Sequence, residues 1–121
     1  MAKPEPIAFE IEEQSHRILF ADGPILQGPR CELFMLLTEQ FLRDIEEGLE
    51  KSAYRFTSTK SITAKFAITD QNLRQRVRRM RRSLEEQFMS CAGYSVSADT
   101  ILQRQNWTGY RLNLILLVIT R

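Results

Sequence analysis

An α+β fold is the expectation for this 121-residue chain. It should comprise an amino-terminal antiparallel sheet within residues 7–29, three helices, and a carboxyl-terminal hairpin with an apolar tail over 100–119. Two observations predict it. Apolar residues alternate with period two near the amino terminus and recur at spacings of three and four between residues 30 and 88. Beyond residue 100 they return to short strand-like runs divided by a loop at Gly109. The length is that of one domain, 1–121, large enough to bury a core without metal or disulfide staples.

Ile7, Phe9 and Ile11 alternate with Ala8, Glu10 and Glu12, the pattern of a half-buried strand. His16 to Phe20 reads as a second strand, closed by the turn dipeptide Asp22-Gly23. Ile25 to Gln27 is a third, ended by Gly28-Pro29. From Arg30 to Leu49 the period changes. Leu33, Phe34, Leu37, Phe41, Ile45 and Leu49 share one face of an amphipathic helix, and Glu39, Arg43, Asp44, Glu46 and Glu47 read as its solvated side. Tyr54 and Phe56 are expected to anchor the connection that follows. Ser58 to Phe66 reads as a short helix, broken at Ala67 to Asp70, with Thr69 or Asp70 able to cap the next. That next helix, Gln71 to Phe88, carries Leu73, Val77, Met80, Leu84 and Phe88 as its apolar stripe. Thr100 to Gln103 and Tyr110 to Leu112 read as two strands around a loop.

Composition is that of an ordinary globular chain: 43% hydrophobic and 26% charged. No secretory signal and no apolar run of membrane-spanning length is present, so a cytoplasmic location without membrane association is expected. Cys31 and Cys91 form no metal-type pair and are expected to be reduced residues near the core. The net charge of +2 hides a division. Residues 1–50 hold four bases against eleven acids, a net of −7, whereas 51–121 hold thirteen bases against four acids, a net of +9. A division of this kind turns one side of a protein toward an anionic partner.

The element that carries the chemistry is the helix 71–88. At about 100° per residue its apolar stripe faces one way, and Gln71, Gln75, Arg78, Arg79 and Arg82 face the other, with Arg74 and Arg81 on the flank. The guanidinium fork matches the major-groove edge of guanine and the oxygens of phosphate, and glutamine can pair with adenine. Only Glu85 and Glu86 balance these arginines locally, whereas a merely solvated helix intersperses both signs. Its apolar stripe is committed to a core, which leaves nothing to insert into a lipid surface. Ile62, Phe66, Ile68, Leu73 and Val77 are spaced as in a helix-turn-helix, whose second helix enters the groove.

Several strings together carry a family resemblance. They are Asp22-Gly23 with Leu26-x-Gly28; Leu33-Phe34-x-Leu36-Leu37; Asn72-Leu73-Arg74-x-x-Val77-x-x-Met80-Arg81-x-x-Leu84; and Ile101-Leu102 followed by Gly109-Tyr110-Arg111-Leu112. The chain resembles the winged-helix effector domain of the bacterial OmpR/PhoB-type response regulators over nearly its whole length, the last string being the most specific. The resemblance implies sequence-specific binding of double-stranded DNA, with helix 71–88 in the major groove and the hairpin as a wing near the minor groove. The candidate contacts are therefore Gln71, Arg74, Gln75, Arg78, Arg79 and Arg82, with Arg104 and Trp107 from the wing. The chain departs from the family in three ways. Its residues supply no receiver domain, so a phosphorylation switch is not expected within it. The wing tip reads Arg104-Gln105-Asn106-Trp107-Thr108 in place of a small glycine-containing tip. An apolar segment extends past the usual end.

That segment, Leu114 to Ile119, has six consecutive apolar residues and needs cover on both faces. Two arrangements provide it: a homodimer buried through the tail, or intramolecular placement between the hairpin and the amino-terminal strands. No enzyme, cofactor or metal site is expected. His16 is the sole histidine, no nucleophile motif or phosphate-cradling glycine loop occurs, and no metal-ligand spacing appears. The alternative to a DNA-binding regulator is a winged-helix protein-interaction module that does not read DNA.

Overall fold

A computed structural model of the chain describes residues 7–96, 101–105, 108–113 and 116–119. Strands β1 (Ile7–Glu12), β2 (Arg17–Phe20) and β3 (Ile25–Gln27) form an antiparallel meander. Its alternation is as expected: Ile7, Phe9, Ile18, Phe20 and Leu26 are buried on one face. The β1–β2 turn takes His16 into the left-handed region, at φ 52°, so β2 begins one residue later than the apolar pattern suggests.

Helix α1 (Pro29–Glu46) starts with a proline at its first position, where the missing N–H costs nothing. It buries Leu33, Phe34, Leu37 and Phe41. Two expectations for this helix need correction. It stops at Glu46, before Gly48 (φ 72°), so Leu49 lies outside it and Ile45 is 46% exposed. Asp44 is not on the solvated face but fully buried. Its Oδ2 accepts from the Arg55 backbone N–H at 2.8 Å, and its Oδ1 accepts from Arg55 Nε at 2.9 Å and Gln40 Nε2 at 3.0 Å. Asp44 thus ties the connection after α1 back onto the helix. Asp44→Ala should cost about 2 kcal/mol in urea unfolding, because the Arg55 N–H loses its acceptor. Asp44→Asn, which keeps an acceptor oxygen, should cost less than half of that.

A two-residue strand, β4 (Thr57–Ser58), leads into α2 (Thr59–Phe66). Ser58 caps α2 by accepting from the Ser61 N–H at 3.0 Å. Ala67 ends it in the left-handed conformation, at φ 54°, and Thr69 caps α3 (Asp70–Ala92) by accepting from the Asn72 N–H at 3.1 Å. The stripe Leu73, Val77, Met80, Leu84 and Phe88 is buried as expected, but α3 runs one turn past Phe88 to a left-handed stop at Gly93. The last turns of α3 meet the amino-terminal sheet. Gln87 imitates a strand neighbour to Ile25, accepting from its N–H at 2.8 Å and donating to its carbonyl at 2.9 Å. Just beyond the helix, the Tyr94 hydroxyl donates to Asp22 at 2.7 Å, and burial with this carboxylate raises the phenol's pKa above its ordinary range.

Strands β5 (Leu102–Gln105) and β6 (Gly109–Leu112) form the hairpin, and β4 pairs with the other edge of β6. The tail supplies β7 (Leu116–Ile119), which leaves the hairpin and joins β1 in parallel, Ile7 opposite Leu116 and Phe9 opposite Val118. The amino-terminal sheet is therefore mixed, in the order β3-β2-β1-β7. For residues 116–119 the backbone pairs within the chain, and Leu114 and Ile115 fall outside the described residues.

An aromatic cluster joins these parts. Phe34 of α1 meets Phe9 at 5.2 Å and Phe20 at 5.7 Å, and Phe20 meets Phe88 of α3 at 5.3 Å. Cys31 lies in the same core, where burial and nearby Glu32 push its thiol up to about 11 and keep it protonated. Cys91 is exposed, contrary to expectation, on the extra turn of α3 that the periodicity does not reveal.

Candidate nucleic-acid interface

Helix α3 is held from three sides, which fixes the direction of its remaining surface. Its stripe enters the core, Gln87 grips β3, and Arg81 donates to the Leu102 carbonyl of β5 at 3.3 Å. Gln71, Arg74, Gln75, Arg78, Arg79 and Arg82 are all exposed on the side left open. The six arginines of the helix therefore divide. Four remain on the open face, while Arg76 and Arg81 are half-buried. Arg76 Nε donates to Asn72 at 3.0 Å and its guanidinium lies 5.9 Å from the Phe66 ring centroid, so it braces α3 against α2. Arg81, expected on the flank of the interface, is instead a tie between helix and hairpin.

The hairpin brings Arg104 to the same side. Arg104 is exposed on β5 and lines two adjoining clefts with Arg74, Arg78 and Tyr110. The first, of about 290 Å³, also touches Thr59, Asp70, Leu73, Gln105 and Gly109; the second, of about 330 Å³, also touches Val77, Arg81, Arg82 and Glu85. Gln71, Gln75 and Arg79 line neither cleft. Trp107, at the loop between β5 and β6, falls outside the described residues.

Arg111, the other hairpin arginine, has a different task. Its Nε donates to Gln103 at 2.8 Å, Nη1 donates to the Tyr54 carbonyl, and the guanidinium sits 4.3 Å from the Phe56 ring centroid. It fastens the hairpin to the connection after α1. Thr59 and Tyr110 were not among the expected site residues. They reach the cleft through the β4–β6 pairing and the Thr59 N–H donated to the Thr108 carbonyl at 2.9 Å, contacts between segments about fifty residues apart that no local spacing announces.

Among the described residues, no group of three or more histidine, cysteine or acidic side chains could hold a metal ion, and no helix is long and apolar enough to cross a membrane. No protein-family model matches the chain, and comparison with curated proteins and with solved structures gives no match either.

Proposed function

We propose that the chain is a winged-helix domain that binds double-stranded DNA in a sequence-specific way, as a transcriptional regulator, with α3 in the major groove. The observation that carries this reading is the sorting of α3: its apolar stripe is buried while Gln71, Arg74, Gln75, Arg78, Arg79 and Arg82 share the open side. Two features support it. The short capped α2, the left-handed break at Ala67 and the capped α3 have the form of a helix-turn-helix. The β5–β6 hairpin stands beside α3 and adds Arg104, as a wing would. The amino-terminal sheet and α1, placed ahead of α2 and α3, follow the element order that the OmpR/PhoB-type resemblance implies.

The test is binding to duplexes over a range of salt. With three to five arginines on phosphates, the log–log slope should be about −3 to −4.5, so a rise from 50 to 200 mM salt should weaken binding about 40- to 500-fold. On a site recovered from random duplexes, alanine at a base-reading position should cost about 1–3 kcal/mol and relax preference at one base pair. Alanine at a phosphate contact should weaken all sequences alike. Weak, salt-insensitive retention on duplex DNA would overturn this reading in favour of a protein-interaction module.

A further inference from the structure

The cleft between α3 and the hairpin separates two groups of side chains that a helical projection alone would merge. Arg74 and Arg78 are one turn apart on α3, and Arg104 comes from β5; all three line both clefts. Among the described residues, Asp70 is the carboxylate that lines the first cleft with these three arginines and Glu85 the one that lines the second, and the walls of the first include the buried Leu73 and Tyr110. Three cations gathered over a partly apolar floor repel one another, and an anion with several acceptor oxygens relieves that repulsion. The planar forks of arginine suit the oxygens of phosphate, and Thr59, which also lines the cleft, carries a hydroxyl able to donate. A volume of about 290 Å³ lies at the lower limit for small-molecule pockets, enough for a phosphate with part of its ester but not for an extended ligand.

We propose that Arg74, Arg78 and Arg104 form a site for one phosphate group, which locks the hairpin against α3. Gln71, Gln75 and Arg79, outside the cleft, are then left for the bases. The phosphate is either a backbone phosphodiester of DNA, a source that rests on the function proposed above, or a free phosphate ester, which does not.

The test uses the full chain in two arms. In the first, inorganic phosphate is titrated and the arginine Nε–H signals are followed by NMR. The Arg78 and Arg104 signals should shift together, and Arg104→Gln should weaken the response at least tenfold. Arg43→Gln, an exposed charge-matched change on α1, should leave it intact. In the second, a bound duplex is scanned with single neutral methylphosphonates. One position should lower the affinity of the unmodified chain at least tenfold yet add little to the loss already caused by Arg104→Gln, which assigns the site to DNA. A phosphate response abolished by Arg104→Gln with no such position supports the site and assigns it to a free phosphate ester. Equal shifts at Arg79, or a response indifferent to Arg104→Gln, overturn the site. Salt-dependent duplex binding without a phosphate response would overturn this site alone. A phosphate response without duplex binding would overturn the function proposed above and leave the site standing.

Discussion

Phe34→Ala should destabilise the chain by about 3–5 kcal/mol, a large part of the stability of a domain this size. Phe34 is fully buried, and its ring packs edge-on against Phe9 and Phe20, with interplanar angles of 84° and 75°. Alanine would remove those contacts and leave a void bounded by three separate elements. β1, β2 and α1 cannot all collapse into it without breaking their own hydrogen bonds, so little of the loss is recovered. Phe20 would also lose the ring that steadies it against Phe88, carrying the effect to α3. Urea unfolding followed by circular dichroism at 222 nm measures the loss. Phe34→Leu, which fills most of the volume, should cost about 1–2 kcal/mol. A loss below about 1 kcal/mol for alanine would mean that the site collapses freely and the cluster does not join the two halves of the fold.

Gly109→Ala is expected to cost about 3 kcal/mol for a different reason, overpacking against backbone. A Cβ there would stand 2.3 Å from the Thr57 carbonyl oxygen, 2.9 Å from its carbon and 3.2 Å from Ser58 Cα. None of these atoms can swing aside as a side-chain end could. Relief requires β4 to part from β6, which also pulls on the Ser58 cap of α2 and on the Thr59–Thr108 hydrogen bond. Hydrogen exchange should therefore rise at residues 57–61 and 109–112 while β1 and β2 keep their protection. Gly48→Ala provides the contrast: that glycine has open space around it but a φ of +72°, so only the left-handed penalty of about 1–2 kcal/mol applies. Unchanged protection at residues 57–61 and 109–112 would show that β4 and β6 accept the added methyl without parting.

Much of this was legible in the residues because period and burial agree. The strands of the meander, the buried face of α1 as far as Phe41 and the stripe of α3 follow from spacing. Other features depended on partners distant in the chain. Arg76 lies about 60° from Leu73 around the helix axis, at the margin of the stripe, so its fate depended on Phe66 of α2. Arg81 is likewise marginal and was settled by the Leu102 carbonyl. Asp44 carried a usable signal, since residues 37, 41 and 44 share one helix face. An acid in that series points to a buried acceptor with a waiting donor, here Arg55. β4 is too short for any period to show. The tail announced its need for cover, but not that β1 would be its backbone partner.

The pairing of β7 with β1 also orders events in time. Its two strands stand near opposite ends of the described chain, so it is the contact with the greatest sequence separation and the greatest loop-closure entropy to overcome. During synthesis, β1, β2 and β3 can pair as soon as they emerge, but the outer edge of β1 then stays open until residues 116–119 are released. A nascent or truncated chain would offer that edge to any neighbouring strand, so its tendency to aggregate should fall sharply when β7 arrives.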